Sequence, residues 1–171
     1  AQSIAFLFDR LLPEAERPQY TENYEGFYHL VSMDGTVGSA HMHYFLRDHD
    51  GERFQQRKEV VRQVAAFLNE TWGEDTVKVD IADSYGNMAE KVLPHPHLLK
   101  NAALAVEAQG GTVISQPIRG GTDGSNLSFM GLPCPNLGTG SHNHHSVMEF
   151  ASVEAMDRCV KALLHLVRAY S

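Results

Sequence analysis

The chain has 171 residues and a formal net charge of −7, with 14 Lys and Arg against 21 Asp and Glu. This length predicts one large domain or two small ones. Because 43% of the residues are hydrophobic and no apolar run approaches the roughly 20 residues that cross a bilayer, the composition predicts a folded globular protein and excludes a membrane-spanning role. The acidic balance and the scattered basic residues argue against a nucleic-acid partner.

The first half of the chain predicts an α+β arrangement. We predict, in chain order, a helix over 4–12, strands over 26–33 and 36–46, a helix over 51–72 and a strand over 77–81. The dipeptide Asp34-Gly35 between the first two strands is a hairpin signal, and Gly73 ends the long helix. This order predicts an antiparallel sheet with helices on one face.

The second half has a different character, and the composition shift near Asp83 marks the best domain boundary. We predict a helix over 98–109, a strand over 112–118, a helical turn over 126–130, a His-rich segment over 142–150 and a terminal helix over 153–170. These elements indicate an α/β layer. The fold class predicted for the whole chain is therefore α/β, with an α+β portion over 1–83 and an α/β portion over 84–171.

The first residues of the chain indicate whether it is part of a longer polypeptide. The chain starts at Ala1, without Met and without a signal-peptide pattern, and apolar residues repeat at helical spacing almost at once. We therefore expect a piece of a longer polypeptide, with a naturally short N-terminus as the alternative.

Two cysteines, Cys134 and Cys159, cannot make a disulfide framework, which fits a reducing, cytoplasmic setting.

The histidines offer the first candidate site. His41 and His43 stand two residues apart on a predicted strand, a spacing that can bind metal but more often lines a polar surface. The densest cluster comprises His142, His144, His145 and Glu149. Imidazole is a common zinc ligand and a nearby carboxylate can orient it, but one loop does not close a four-coordinate site. The pattern alone leaves a metal site and a structural role both open.

The loop from Arg119 to Gly124 is the second candidate site. Its three glycines let backbone N–H groups approach an anion, and Arg119 offers a planar fork for a carboxylate or phosphate. The loop matches neither a Walker motif nor a dinucleotide fingerprint, and an ordinary tight turn is the alternative. Cys134 stands between two prolines without a basic neighbour, which favours packing over a nucleophilic role.

Several segments together resemble one family. They are 118–124 (IRGGTDG), 127–136 (LSFMGLPCPN) and 145–150 (HSVMEF), preceded by 24–29 (YEGFYH), 43–48 (HYFLRD), 83–88 (DSYGNM) and 95–97 (HPH). In this order and spacing they resemble the C-terminal part of the peptidase T family of tripeptide aminopeptidases. That family is one of the dinuclear-zinc metallopeptidases, which also include carboxypeptidase G and aminoacylase.

The resemblance implies a protein of two domains. One is an α/β catalytic domain that holds two zinc ions, and the other is an inserted lid, a four-stranded antiparallel sheet with two helices that also mediates dimerisation. Residues 1–83 resemble the later part of the lid, and residues 84–171 resemble the C-terminal part of the catalytic domain. The implied partners are a short peptide substrate, a second copy of the protein and the missing N-terminal half of the same polypeptide.

The resemblance also implies roles for individual residues. His145 corresponds to a zinc ligand, whereas the other zinc ligands and the general-base glutamate have no counterpart in this chain. The residues implied for binding the peptide are Arg47, Asn87, Arg119, Gly120 and Gly121. We therefore expect a zinc-dependent peptidase in which metal-activated water removes the N-terminal residue of tripeptides, and we expect this chain alone to be inactive. The alternative is a non-catalytic self-association module derived from such a peptidase.

Overall fold

The computed structural model describes all of the chain, Ala1–Ser171, which divides into two units. The first unit comprises Ala1–Ser84 together with Gln116–Gly120, and the second comprises Tyr85–Ser115 together with Gly121–Ser171. None of the helices combines the length and the apolar character that crossing a membrane requires. The prediction of mixed helices and antiparallel strands is confirmed.

The first unit contains two long helices and a β-hairpin. Its elements are helix α1 (Gln2–Leu11), two single 3₁₀ turns (Glu14–Glu16 and Pro18–Tyr20), strands β1 (Phe27–Gly35) and β2 (Ala40–Arg47), and helix α2 (Gly51–Trp72). The two strands pair antiparallel, with a bulge between Leu30 and Ser32. Each strand therefore presents alternate residues to the two faces of the hairpin.

The hairpin turn lies two residues later than the Asp34-Gly35 signal predicts. Strand β1 continues through Gly35, whose partner in the register is Ala40. The turn is built by Thr36, whose hydroxyl accepts hydrogen bonds from the amides of Gly38 and Ser39, both at 3.3 Å. A threonine hydroxyl that binds nearby backbone amides stabilises such a turn locally, and here it displaces the Asp-Gly turn.

Helix α2 supplies one side of the core of the first unit. It begins at Asp50, whose side chain caps the amide of Arg53 at 2.8 Å, and it ends at Gly73, which has φ +108°. The buried core comprises Phe8, Leu12, Tyr28, Val61, Ala65 and Leu68. Burying a large apolar side chain stabilises a fold by about 1.5–3 kcal/mol, so this cluster fixes α1, the hairpin and α2 together.

The prediction of a third strand over 77–81 is wrong for this chain. Val77 and Ile81 pack against the core, but the segment has no regular secondary structure and pairs with no strand. The side chain of Asn69 instead satisfies Val77, because Asn69 Oδ1 accepts from the Val77 amide at 2.7 Å and Asn69 Nδ2 donates to the Val77 carbonyl at 3.0 Å. A strand needs a neighbouring backbone as well as alternating side chains, and this segment has none.

The second unit contains four helices and a very short hairpin. Its elements are α3 (Ala89–Val92), α4 (Pro96–Glu107), α5 (Asp123–Phe129), β3 (Ser141–His142), β4 (Phe150–Ala151) and α6 (Val153–Arg168). Strands β3 and β4 pair antiparallel, and α4 packs along α6. The strand predicted over 112–118 is wrong, because this segment has no regular secondary structure and no strand pairs with it.

The second unit buries few apolar side chains. Its fully buried apolar residues are Val92 and Ala105. Helix α6 has no buried residue, and Val153 and Val167 remain 72% and 67% exposed. An amphipathic helix gains its stability mainly by covering its apolar face, so α6 is incompletely covered in this chain.

A polar cluster joins α1 to the hairpin in the first unit. The hydroxyl of Tyr44 donates to Asp9 Oδ1 at 2.7 Å, and Arg17 forms an ion pair with the same carboxylate at 2.9 Å. Burial above all, followed by the hydrogen bond and the charge of Asp9, raises the pKa of the Tyr44 hydroxyl above its ordinary value. The fold therefore favours the neutral phenol.

This raised pKa predicts how the first unit responds to alkali. Because the folded pKa of Tyr44 lies above the unfolded value of about 10, its contribution to stability is complete below about pH 10 and is lost as the pH rises towards the folded value. Urea unfolding followed by the fluorescence of Trp72, the single tryptophan, measures this dependence. Tyr44→Phe should lower the free energy of unfolding by about 1–2 kcal/mol at neutral pH. Above pH 10 its free energy of unfolding should fall less steeply with pH than that of the unmodified protein.

The matched control is Tyr170→Phe, because Tyr170 is 53% exposed at the end of the chain. This variant should keep the alkaline dependence of the unmodified protein. The explanation is wrong if Tyr44→Phe and the unmodified chain lose stability in parallel between pH 9 and pH 12.

Candidate functional site

Two of the arginines singled out by the sequence lie at the same end of the hairpin in the first unit. Arg47 is the last residue of β2 and stands opposite Phe27, the first residue of β1. The Arg47 guanidinium lies over the ring of Phe45, 4.8 Å from its centroid. Arg119 lies over the ring of Phe27, 4.7 Å from its centroid. The first unit thus brings Arg47 and Arg119 together around two aromatic rings.

Arg119 is fixed by contacts with the loop that precedes β1. Its Nη1 donates to the carbonyl of Thr21 and its Nη2 donates to the hydroxyl of the same residue. The Nε atom of Arg119 is buried and has no hydrogen-bond partner. His49 adds a second tie to this segment, since its Nε2 lies 3.2 Å from the carbonyl oxygen of Ile118.

A buried ion-pair network supports this end of the hairpin. Arg57 on α2 donates from Nε to Asp48 Oδ2 at 2.8 Å and from Nη1 to Glu16, and it lies over the ring of Tyr28. The Asp48 side chain is only 2% exposed. Burial alone would lower the pKa of Arg57, but the two carboxylates raise it above its ordinary value. The network therefore stabilises the cation and holds the chain immediately after Arg47.

Gly26 makes room for this network. A Cβ atom at Gly26 would overlap the Asp48 carboxylate, the Arg47 carbonyl oxygen and the Arg57 guanidinium. Any side chain at this position would separate the start of β1 from the end of β2. Glycine is therefore required at position 26 of the 24–29 motif, because the backbone there lies against the Arg57–Asp48 ion pair.

The remaining residues implied for peptide binding have different local settings. Asn87, in the second unit, accepts a hydrogen bond from the amide of Ala89 at 3.0 Å and so organises the start of α3. A Cβ atom at Gly121 would overlap the ring of Tyr85, whereas one at Gly120 would meet nothing within 4 Å. Gly121 is thus required by packing inside the second unit, and Gly120 is not.

The His-rich segment forms the loop between β3 and β4. His144 Nδ1 lies 3.5 Å from Glu149 Oε1 and 3.4 Å from the hydroxyl of Ser141. The backbone amide of His145 donates to Glu149 Oε2 at 3.2 Å. His145 has φ +65°, an uncommon conformation for a non-glycine residue, and it is exposed. Glu149 therefore orders the loop around both histidines.

The residues of this chain do not by themselves fit a complete zinc site. No group of three or more His, Cys, Asp or Glu side chains converges on a point that could hold a metal ion. Zinc in proteins takes three or four such ligands, so the exposed His145 imidazole would be one contributor. His41 and His43 also belong to no such group.

Several supporting residues carry no signal in the sequence. Thr21 lies in a polar stretch whose composition indicates only a surface loop. Arg57 lies outside the apolar stripe of its helix, where a charged residue is expected to face solvent. Thr21 meets Arg119 across 98 positions of the chain. Such contacts leave no local spacing pattern, although Gly26 and Asp48 do fall within the motif segments.

Comparison with known proteins gives consistent matches over most of the chain. The family model described as Peptidase family M20/M25/M40 matches residues 11–169. A protein named Peptidase T from Alkaliphilus oremlandii is 43% identical over 171 residues, which are 100% of this chain and 42% of that protein. Peptidase T from Clostridium novyi is 47% identical over 161 residues, covering 94% of this chain and 40% of that protein.

The other comparisons agree. Peptidase T from Staphylococcus aureus strain JH9 is 46% identical over 163 residues, covering 94% of this chain and 39% of that protein. The crystal structure of aminopeptidase PepT from Bacillus cereus shares the fold with a TM-score of 0.60 at 17% identity, covering 97% of this chain and 44% of that one. The chain thus spans about two fifths of the length of these relatives, and the resemblance seen in the motifs is confirmed.

The two adjacent glycines of the loop give a matched pair of variants. Gly121→Ala should destabilise the second unit by about 1–3 kcal/mol, because the added methyl group overlaps the Tyr85 ring. Gly120→Ala should change the free energy of unfolding by less than about 0.5 kcal/mol. Thermal unfolding followed by circular dichroism measures both, and equal effects of the two variants would contradict the assigned packing.

Proposed function

The chain belongs to the peptidase family M20/M25/M40, and we propose that it is the C-terminal part of a zinc-dependent aminopeptidase that removes the N-terminal residue from tripeptides. The name Peptidase T of relatives at 43–47% identity supports this assignment. In the same proposal residues 1–83 are the later part of the lid, and residues 84–171 are the C-terminal part of the catalytic domain.

The observation that carries the proposal is the pair of arginines at the end of the hairpin. Arg47 and Arg119 flank Phe27, one opposite it in the strand register and the other over its ring. A guanidinium is planar and always charged, and it binds a carboxylate through two parallel hydrogen bonds. We assign this pair to the C-terminal carboxylate of the peptide, which lets the enzyme measure peptide length.

Three further residues have proposed roles towards the peptide. Asn87 is a neutral side chain that would donate a hydrogen bond to a peptide carbonyl or to the oxyanion that develops from it. Its Oδ1 accepts a hydrogen bond from the amide of Ala89 at 3.0 Å, which places the side chain at the start of α3. Gly120 and Gly121 would let backbone amides approach the peptide closely.

His145 is the proposed contribution of this chain to the metal centre. Its imidazole is exposed, whereas the ring of His144 contacts Ser141 and Glu149. We therefore favour His145 over His144 as the zinc ligand. The other ligands and the general-base glutamate would lie in the remainder of the polypeptide. In the complete enzyme, two zinc ions would supply a metal-activated water.

Two features of the fold support a requirement for that remainder. Val77 and Ile81 pack against the core of the first unit, and no strand pairs with the segment over 77–81. Helix α6 leaves apolar side chains exposed, among them Val153 and Val167. Added strands and helices would cover both features, and we propose that the missing N-terminal half of the same polypeptide provides them. The chain alone would then be inactive.

The proposal also includes a homodimer and a cytoplasmic location. The hairpin has only two strands, so its sheet can be extended by a strand from a second copy of the protein. Both cysteines are free thiols, as is usual for proteins in a reducing compartment. Size-exclusion chromatography of the complete protein would measure the oligomeric state.

Zinc content and turnover test the division of the active site. The 171-residue chain should bind less than one zinc ion per molecule and should not hydrolyse a tripeptide, whereas a polypeptide of the relatives' full length should do both. In the full-length protein, His145→Ala should reduce zinc content and activity, and the matched variant His165→Ala on α6 should not. Stoichiometric zinc and turnover by the 171-residue chain alone would refute the proposal.

Arg119 tests the assignment of the peptide carboxylate. In the full-length protein, Arg119→Ala should lower kcat/KM for a tripeptide by about 100-fold, because a buried charge pair with the substrate is lost. The matched control is Arg62→Ala, at an exposed arginine paired with Glu59 on the same helix, and it should have normal kinetics. Normal kinetics of Arg119→Ala would instead remove Arg119 from the site.

A further inference from the structure

Arg119 and Arg57 are both partly buried cations of the first unit, but only Arg57 has a carboxylate partner. Arg57 is paired with Glu16 and Asp48. Arg119 takes part in none of the ion pairs of the chain, and its hydrogen bonds go to the neutral groups of Thr21. Because a poorly solvated charge is costly without a counterion, Arg119 is suited to receive an anion.

The hydrogen bonds of Arg119 leave part of its guanidinium without an acceptor. A guanidinium has five N–H donors in a planar fork. Thr21 occupies the end-on edge, since Nη1 donates to its carbonyl and Nη2 to its hydroxyl. The side-on edge consists of Nε and the second hydrogen of Nη2, and its Nε is buried without an acceptor. The second hydrogen of Nη2 is therefore the donor that remains for a carboxylate oxygen.

Thr21 is itself held in one orientation. Its hydroxyl donates to the carbonyl of Arg17 at 3.0 Å, so its hydrogen is committed and its lone pairs face Arg119. Arg17 is fixed in turn by its ion pair with Asp9 at 2.9 Å. Asp9 thus holds Arg17, Arg17 holds Thr21, and Thr21 holds Arg119. Phe27 covers one face of the Arg119 guanidinium.

We propose that Thr21 and Phe27 are positioning residues that hold the Arg119 guanidinium in the orientation in which it binds the C-terminal carboxylate of the peptide. The proposal rests on the proposed function, because it takes from there the role of Arg119. Neither residue contacts the reacting atoms. Thr21 sets the rotation of the guanidinium in its plane, and Phe27 sets the plane itself through a cation–π contact.

Thr21→Val and Thr21→Ser in the full-length peptidase test the role of the hydroxyl. Valine has nearly the shape of threonine but cannot accept the hydrogen bond, and serine can. The substrates are a tripeptide and the same tripeptide with a C-terminal amide in place of the carboxylate. Thr21→Val should lower kcat/KM for the free acid about tenfold, through a higher KM, and leave the amide nearly unchanged. Thr21→Ser should restore most of the loss.

The matched control is Thr71→Val. Thr71 lies on α2, and its hydroxyl donates only to the carbonyl of Phe67 at 2.8 Å within the same helix. This variant should keep the ratio of kcat/KM for the acid to that for the amide. Melting temperatures of all variants separate a folding defect, which would lower kcat/KM for both substrates equally, from a loss confined to the free acid.

The possible failures are distinguishable. If the unmodified enzyme hydrolyses acid and amide equally well, recognition of the carboxylate in the proposed function is wrong. If the enzyme prefers the acid and Arg119→Ala loses that preference, but Thr21→Val keeps it, the proposed function stands and the positioning role is wrong. An equal loss on both substrates in Thr21→Val, without rescue by serine, would also overturn the positioning role.

Discussion

The ion-pair network of Arg57 is the interaction on which the first unit depends. It joins α2, the turn at Glu16 and the residue after β2, and it lies under the end of the hairpin where Arg47 emerges. Removing one partner of a buried pair leaves an uncompensated charge and costs about 3–5 kcal/mol. Gly26 belongs to the same arrangement, since only a residue without a side chain leaves room for Asp48. Stability and the geometry of the candidate site therefore share one set of contacts.

Three arginines of the first unit differ in whether the protein itself supplies a carboxylate partner. Arg57 and Arg17 are neutralised by carboxylates of the protein itself. Arg119 is held only by neutral acceptors and an aromatic ring, which orient the charge without cancelling it. Such an arrangement suits a site that binds an anion, because the charge of the cation is not cancelled by a carboxylate of the protein itself. This contrast supports the assignment of Arg119 to a peptide carboxylate.

The sequence predicts much of the fold and part of the site. The sequence predicts both ends of α2 correctly, because the apolar period over 51–72 and the stop at Gly73 agree. The Asp50 cap appears only in the structure. The strand predictions fail over 77–81 and 112–118, where no second strand lies alongside. Motif resemblance supplies the family and the candidate residues Arg47, Arg119 and His145. Thr21 is visible only in three dimensions, because its contact with Arg119 joins distant parts of the chain.

Zinc-edge anomalous diffraction from crystals of the full-length protein tests most directly whether this chain completes a metallopeptidase site. The account predicts two anomalous peaks, one of them about 2.0–2.1 Å from a ring nitrogen of His145. The other ligands of that zinc ion should come from residues outside the 171. Peaks coordinated by His144 in place of His145, or by no residue of this chain, would contradict it.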